Sequence, residues 1–421
     1  MADHAASVQI IESLRKGTPP RRGVNRYSVG NEKLIEGINR YHLSGIKDRG
    51  IIRFISGSWG IGKTHVFRQL REIAFQSQCL VSNVELDTTS TALNKFEQVF
   101  FAIVQKICAP SCDETNANVE IAPFGTVLRE SLYYLGTGKR NTDLDIAYEQ
   151  YKKASDALMA NHQIDIDFKK IVQEYWKTFL PDAGDAGLIE QARGEILQWF
   201  SGEGTIGIFR KRYGISKMVN RQNAKLMLQS LAGFIQLSGY SGLLILFDEA
   251  EQAYSVMRKA ALRDAQNNLL SLINNIESLS GLFLIYATTP DFFTDPKHGI
   301  VIYGALAGRI GKPEQKLPRA LDTIWNLDAV EPKLSDYQAA ALKIKKIYEE
   351  GYPEVQSLML SDDELNKKVE ELHELHPSAA AIRFWRVLIT ALISSFDDLI
   401  DGQARPTENL YYDVMAKLKE S

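Results

Sequence analysis

Gly57-Ser58-Trp59-Gly60-Ile61-Gly62-Lys63-Thr64 has glycines, a lysine and a hydroxyl in the spacing G-x-x-x-x-G-K-[ST]. Residues of these types at this spacing can hold a chain of phosphates. Glycines let the backbone curl until consecutive N–H groups point inward at phosphate oxygens, and a helix N-terminus behind them adds partial positive charge. Lys63 would reach the β- and γ-phosphates of a nucleoside triphosphate, and the Thr64 hydroxyl would ligate Mg²⁺. Gly57, Trp59, Gly60, Ile61, Gly62 and His65 complete the candidate nucleotide contacts around them. The plain alternative is a glycine-rich turn that matches by accident.

A second constellation is Asp248-Glu249, which ends the most apolar run of the chain, Leu243-Leu244-Ile245-Leu246-Phe247. Unbroken hydrophobicity predicts a strand buried on both faces, and ligands of an open α/β sheet bind at carboxyl ends of its strands. Asp248 would hold Mg²⁺ through water, opposite Thr64. Glu249 is placed to polarise an attacking water, the step that separates a hydrolase from a protein that only holds nucleotide. Two solvated acids at a strand end are the bland reading. Thr288 and Thr289 end another apolar run, 282–287. Either could hydrogen-bond a γ-phosphate or the water, or simply cap a strand before a turn.

The elements around these residues fit. Ile51–Ile55 is β-branched and aromatic, and Val66, Phe67, Leu70, Ile73 and Ala74 recur at helical spacing after the loop. Strands are predicted at 51–55, 80–86, 243–247, 282–287 and 324–327, a parallel sheet covered by helices. Upstream, Tyr27, Val29 and Gly30 lie where a strand-turn-helix could wall an adenine ring. Between 113 and 223 helical signals recur without convincing strands (127–135, 146–158, 168–179, 188–200), which predicts a helical insertion. Beyond 331 the chain is helical again, with a capping box at Ser361–Glu364. A greasy helix opened by His376-Pro377-Ser378 carries Arg383 and Arg386 on one face, to meet a phosphate or an internal carboxylate.

Composition narrows the class. A net charge of −3 gives no general attraction to nucleic acid or an anionic membrane. Basic residues cluster only locally, at Arg15, Lys16, Arg21, Arg22 and Arg26, read as a solvated arm with a nucleic-acid contact as the alternative, and at Arg210, Lys211, Arg212, Lys217, Arg221 and Lys225. The second cluster is a solvated face or meets phosphate, DNA or an acidic partner. Cys79, Cys108 and Cys112 have no neighbouring histidine to complete a zinc site and read as reduced thiols. With neither a signal-peptide pattern nor an apolar run of ~18 residues, a cytoplasmic protein with no membrane partner is expected.

Together these motifs resemble a P-loop ATPase of the AAA+ superfamily, near its origin-recognition-like and STAND-like branches. The resemblance covers 27–330, with 331–395 similar to the family's helical lid. It implies a sensor role for Thr289, an arginine finger at Arg309 and a lid arginine at Arg383. Asn31 departs from the family, which usually has arginine in that place. A narrower resemblance, to the BREX-system ATP-binding family of bacterial anti-phage defence, rests on four runs. These are Ile10–Gly17, Phe54–Thr64, Gly239–Glu249 and Ala287–Phe293. It implies ATP and Mg²⁺ as cofactors, hydrolysis of ATP, and self-association or assembly with a helicase or other effector of the same defence operon. The predicted organisation is an arm (1–26), a core in two parts (27–112 and 224–330), the insertion (113–223) and a lid (331–421). A STAND-like switch, in which ATP binding rather than turnover controls assembly, is the alternative; an ATPase module that itself binds DNA is a third.

Overall fold

The structure, a computed structural model, describes residues 2–87, 91–110, 124–140, 142, 145–249, 257–377, 380 and 382–420. Cys112, the strand-end residues 88–90 and Ser378 lie outside the described residues.

The strands are β1 (Ile51–Ser56), β2 (Cys79–Glu85), β3 (Ile107–Cys108), β4 (Gly242–Asp248), β5 (Leu282–Thr288) and β6 (Ile324–Asn326). They form one sheet in the order β3-β2-β4-β5-β1-β6. The β2·β4, β4·β5, β5·β1 and β1·β6 pairs are all parallel. The expected five strands are therefore present, but the sheet has six. β3 pairs antiparallel with β2 through Val81↔Cys108 and Ser82↔Ile107. Periodicity reads Ile107 as the tail of the preceding helix, because a two-residue strand is too short to show alternation.

Every residue of β4 and β5 is buried, as their unbroken apolar runs require. Alternation sorts the side chains onto two faces. On one, Ile55, Val81, Leu246, Phe283 and Ile285 pack with Val66, Phe67, Leu70 and Ile73 of the Lys63–Gln76 helix. On the other, Phe54, Leu80, Ile245, Phe247, Leu284 and Tyr286 join a core that runs into the helices between β3 and β4. Those helices span 124–137, 148–160, 166–177, 186–201 and 206–213. Phe168, Trp176, Trp199 and Phe200 sit at their centre, each at most 1% exposed, and full burial of a large apolar side chain contributes roughly 1.5–3 kcal/mol. The Trp176 indole N–H is satisfied by the Leu128 carbonyl at 2.8 Å. Tyr240, just ahead of β4, donates to the buried Glu130, and the Arg140 guanidinium lies 3.8 Å from its ring centroid. The insertion is thus bonded to the base of the acid-bearing strand.

A separate core joins the helices 334–351, 362–375, 384–400 and 407–420 to the helix Ala2–Arg15. Ile10, Ile11 and Leu14 are buried in it with Ile344, Tyr348, Leu388 and Phe396. A lone amphipathic helix cannot bury its own apolar face, so the N-terminal segment does not stand off as a solvated arm. Two of its cations are ion-paired: Arg15 binds Asp397 with contacts of 2.8 and 2.9 Å, and Arg26 meets Glu350. The capping box at Ser361 forms, with Ser361 N–H donating to Glu364 at 2.8 Å and Glu364 N–H to Ser361 at 3.3 Å.

Candidate functional site

Because the four strand pairings other than that of β3 are parallel, the carboxyl ends of the five strands they join share one edge of the sheet, and the candidate residues gather there. The glycine loop leaves β1 at that edge. Its first amide continues the β1–β5 ladder, Gly57 N–H donating to Thr288 O at 3.1 Å. Glycine is required at Gly60 and Gly62, whose φ values of 74° and 106° are left-handed. At Gly57 the reason is space: a Cβ would lie 2.6 Å from Ile61 Cγ2. Lys63 is 8% exposed and folds back on the loop, its Nζ donating to Gly57 O at 2.8 Å and reaching Ser58 O at 3.4 Å. Trp59 is exposed, with Lys63 Nζ 5.3 Å from its ring centroid.

Asp248 is the buried end of β4. Burial raises its pKa above the usual carboxylate range. The Glu249 amide, 3.0 Å from Asp248 Oδ1, nearby Lys63 and a hydrogen bond with Thr64 pull it down, and Glu85, its register partner on β2, pushes it up. Thr64 and Asp248, on opposite sides of the insertion in sequence, are therefore neighbours in the fold. Glu249 has φ 54°, a left-handed backbone uncommon for a residue with a Cβ. Thr288 and Thr289 are both buried. Thr288 continues the alternation of Leu284 and Tyr286, on the face away from the loop helix, and its hydroxyl has no hydrogen-bond partner among the described residues.

The 24–31 segment is bonded to the loop helix. Val24 and Asn25 N–H groups donate to Glu72 at 2.8 and 3.2 Å, and the Asn31 side chain donates to Gln69. Asn31 thereby ties this segment to the loop helix. Tyr27 is buried, edge-on to His65 at 5.5 Å. The Ser28 hydroxyl donates to Val24 O at 2.7 Å, so the His65 contact with Ser28 Oγ, also 2.7 Å, must use a proton on His65 Nε2. Enclosure pushes the His65 pKa down to about 4, so the ring is neutral. Val29 is half-buried, and Gly30, with φ 94°, gives its N–H to Glu32 at 2.9 Å. Lys343, from the 334–351 helix, donates to Ser28 O at 2.8 Å.

Two arginines are placed differently from the loop and the acids. Arg309 is exposed near the end of the Gly304–Ile310 helix, donating to Ala305 O at 2.9 Å. Among the described residues no hydrogen bond or ion pair joins it to the loop or to Asp248. Arg383 does not lie within its helix, which begins at Phe384; it is the N-cap, with extended backbone (φ −70°, ψ 142°). Arg383 and Arg386 therefore do not share a helical face as predicted. Arg383 pairs instead with Asp328 at 3.4 Å, and the other Asp328 oxygen accepts the Ser58 N–H at 2.8 Å. Sequence reasoning missed Asp328, although it lies just past the predicted strand 324–327, where the strand-end rule that found Asp248 would have pointed.

Half of the second basic cluster is ion-paired. Arg212 meets Glu195 at 2.5 Å, Lys217 meets Asp165 at 3.1 Å and Arg221 meets Asp264 at 2.8 Å. Cys79 and Cys108 are buried and form no disulfide among the described residues, and Cys108 Sγ accepts from Arg71 at 3.4 Å. No helix among the described residues is long and apolar enough to cross a membrane.

A mixed α/β chain with a glycine loop, a buried lysine and a strand-end acid on one edge of a mostly parallel sheet belongs to the class of proteins built to bind ligands at that edge. The chain is a member of the BREX system ATP-binding protein BrxC/D family, whose model matches residues 3–414. The match takes in the N-terminal helix, the insertion and the C-terminal helices as well as the sheet. Comparison with curated proteins and with solved structures gave no match.

Proposed function

We propose that the chain is a Mg²⁺-dependent, ATP-hydrolysing AAA+ protein that acts in the cytoplasm within a bacterial anti-phage defence system, with a helicase or other effector. The observation that carries this reading is the placement of buried Asp248, at the end of β4, beside Thr64 and the buried Lys63, which open the loop helix. It brings a hydroxyl, a carboxylate and a cation to the helix N-terminus behind a left-handed glycine loop. Oxygen donors of this kind suit Mg²⁺, which keeps waters and takes only one or two protein ligands beside substrate phosphates. That agrees with the lack of any cluster of three or more His, Cys, Asp and Glu able to hold a metal among the described residues. When bound, Mg²⁺ would neutralise charge on the phosphates; Thr64 and Asp248 would hold it.

In this reading Lys63 exchanges loop carbonyls for phosphate oxygens. Glu249, turned out of line by its left-handed backbone, orients the attacking water. Alternation on β5 favours Thr289 over Thr288 as the residue facing the phosphates. Tyr27, Val29 and Gly30 border the base, with His65 behind them. Exposed Arg309 acts on a neighbouring molecule's site, and 331–421, with the N-terminal helix packed on it, acts as the lid over a core of 27–112 and 224–330. The link from Arg383 through Asp328 to Ser58 also favours a second reading, a switch in which ATP binding resets the lid and turnover only returns it.

Calorimetric titration with Mg²⁺ and ATP, together with phosphate release, tests the site. The wild type is expected to bind and hydrolyse. Asp248→Asn, which keeps the shape and removes the charge, is expected to lose the Mg²⁺ dependence of both. Equal ATP binding by the variant with and without Mg²⁺ supports the assignment, and an unchanged Mg²⁺ response overturns it.

A further inference from the structure

We propose that Asp328 is a nucleotide-displaceable latch: it holds the lid arginine Arg383 while the loop is empty and releases it when a triphosphate arrives. The inference rests on the nucleotide reading of the loop. Asp328 makes two unequal contacts. Its Oδ2 accepts the Ser58 N–H at 2.8 Å, and its Oδ1 pairs with Arg383 Nη2 at 3.4 Å. The carboxylate is aimed from behind. The Asp328 N–H donates to Asn326 Oδ1 at 3.2 Å, and buried Asn326 is itself fixed by a 2.8 Å bond to the Glu314 carbonyl.

The two contacts differ in strength. The Ser58 bond is short and made by a backbone that cannot move without the loop. The Arg383 pair is long, and the Arg383 side chain is 47% exposed. A half-solvated ion pair of that kind is worth about 0.2–1 kcal/mol. A triphosphate seated on the loop brings several negative charges next to Ser58. It repels the Asp328 carboxylate and offers Arg383 a stronger, multiply charged acceptor. The carboxylate stays bonded to the loop and the arginine leaves. Lys343, bonded to Ser28 O from another lid helix, keeps the lid docked while the start of the Phe384–Ile400 helix changes partner. Asp328 is therefore a positioning residue that acts through Arg383, without touching nucleotide.

The test is a double-mutant cycle in the full chain, read as Kd for ATP and ADP with Mg²⁺ by calorimetry. Asp328→Asn keeps a side-chain oxygen for the Ser58 N–H and removes the charge that holds Arg383. It is expected to tighten ATP about two- to fivefold, the worth of the lost pair, and to leave ADP unchanged. In an Arg383→Ala background the same substitution is expected to tighten ATP less, because only the repulsion between the carboxylate and the phosphates is then relieved. Weaker ATP binding by Asp328→Asn, or an equal effect in both backgrounds, overturns the latch. If Asp328→Asn melts too low to titrate, hydrogen exchange at residues 384–388 of the wild type decides. A change with ATP but not ADP is expected, and identical exchange overturns the proposal. A wild type that binds no ATP overturns the nucleotide reading as well, whereas binding without coupling overturns the latch alone.

Discussion

Lys63 Nζ donates to the carbonyl of Gly57 at 2.8 Å, so the loop is closed on its own cation. The lysine is held near the position from which it would meet a phosphate, and binding then exchanges one charge-assisted hydrogen bond for another. Lys63→Ala removes a hydrogen bond to a charged group, worth about 1.5–3 kcal/mol, so ATP is expected to bind roughly ten- to a hundredfold more weakly. Calorimetry measures the loss, and an unshifted melting curve separates it from unfolding.

Glu249 combines a candidate catalytic carboxylate with a left-handed backbone of φ 54°. Glu249→Gln keeps shape and loses the base, so phosphate release is expected to fall about 10²- to 10⁴-fold with ATP binding retained. Glu249→Gly relieves the backbone and is expected to be more stable than Glu249→Gln by about 1 kcal/mol, while hydrolysing no faster. Equal denaturation midpoints would remove the strain argument. Protection in a phage challenge separates the two functional readings: a motor loses it with Glu249→Gln, and a switch keeps it.

Acid should destabilise the fold through two histidines, the buried His42 and the half-buried His65. His42 donates from Nε2 to Ala320 O at 2.6 Å, and His65 donates to Ser28; burial pushes each down to about 4 from 6.5. Unfolded chain binds more protons in that window, so the stability they contribute is present above pH 6.5 and is lost as pH falls towards about 4. The expected loss for the pair is on the order of a few kcal/mol. Urea denaturation at stepped pH measures it, and His65→Asn is expected to flatten part of the slope. A flat profile between about pH 7 and 5 contradicts the neutral assignment.

Arg309 is exposed and, among the described residues, bonds only to a carbonyl of its own helix. If it completes a neighbour's site, hydrolysis per molecule rises with protein concentration, and Arg309→Ala removes that rise without weakening ATP binding. The expected loss of rate is about 10³-fold or more. A concentration-independent rate that Arg309→Ala leaves unchanged would show that the residue has no part in turnover.

Local pattern made much of the sheet readable. The spacing of Gly57–Thr64, the alternation-free runs at 243–247 and 282–287 and the helical periods of the insertion are all short-range signals. Each matches an element in the structure. β3 and the start of the Phe384 helix escaped because a two-residue strand and an N-cap leave no period to detect. The glycine loop, by its own residue types, determined that a phosphate-binding shape is accessible to this chain, since φ values of 74° and 106° need glycine whatever surrounds them. Tertiary structure alone decided which groups face that loop. The placement of Asp248 beside Lys63 and Thr64, the pairing of Arg383 with Asp328, and the burial of the N-terminal helix against the C-terminal core join residues far apart in the chain. Contacts of that range are set by how whole elements bury their apolar faces, and no periodicity along the chain encodes them.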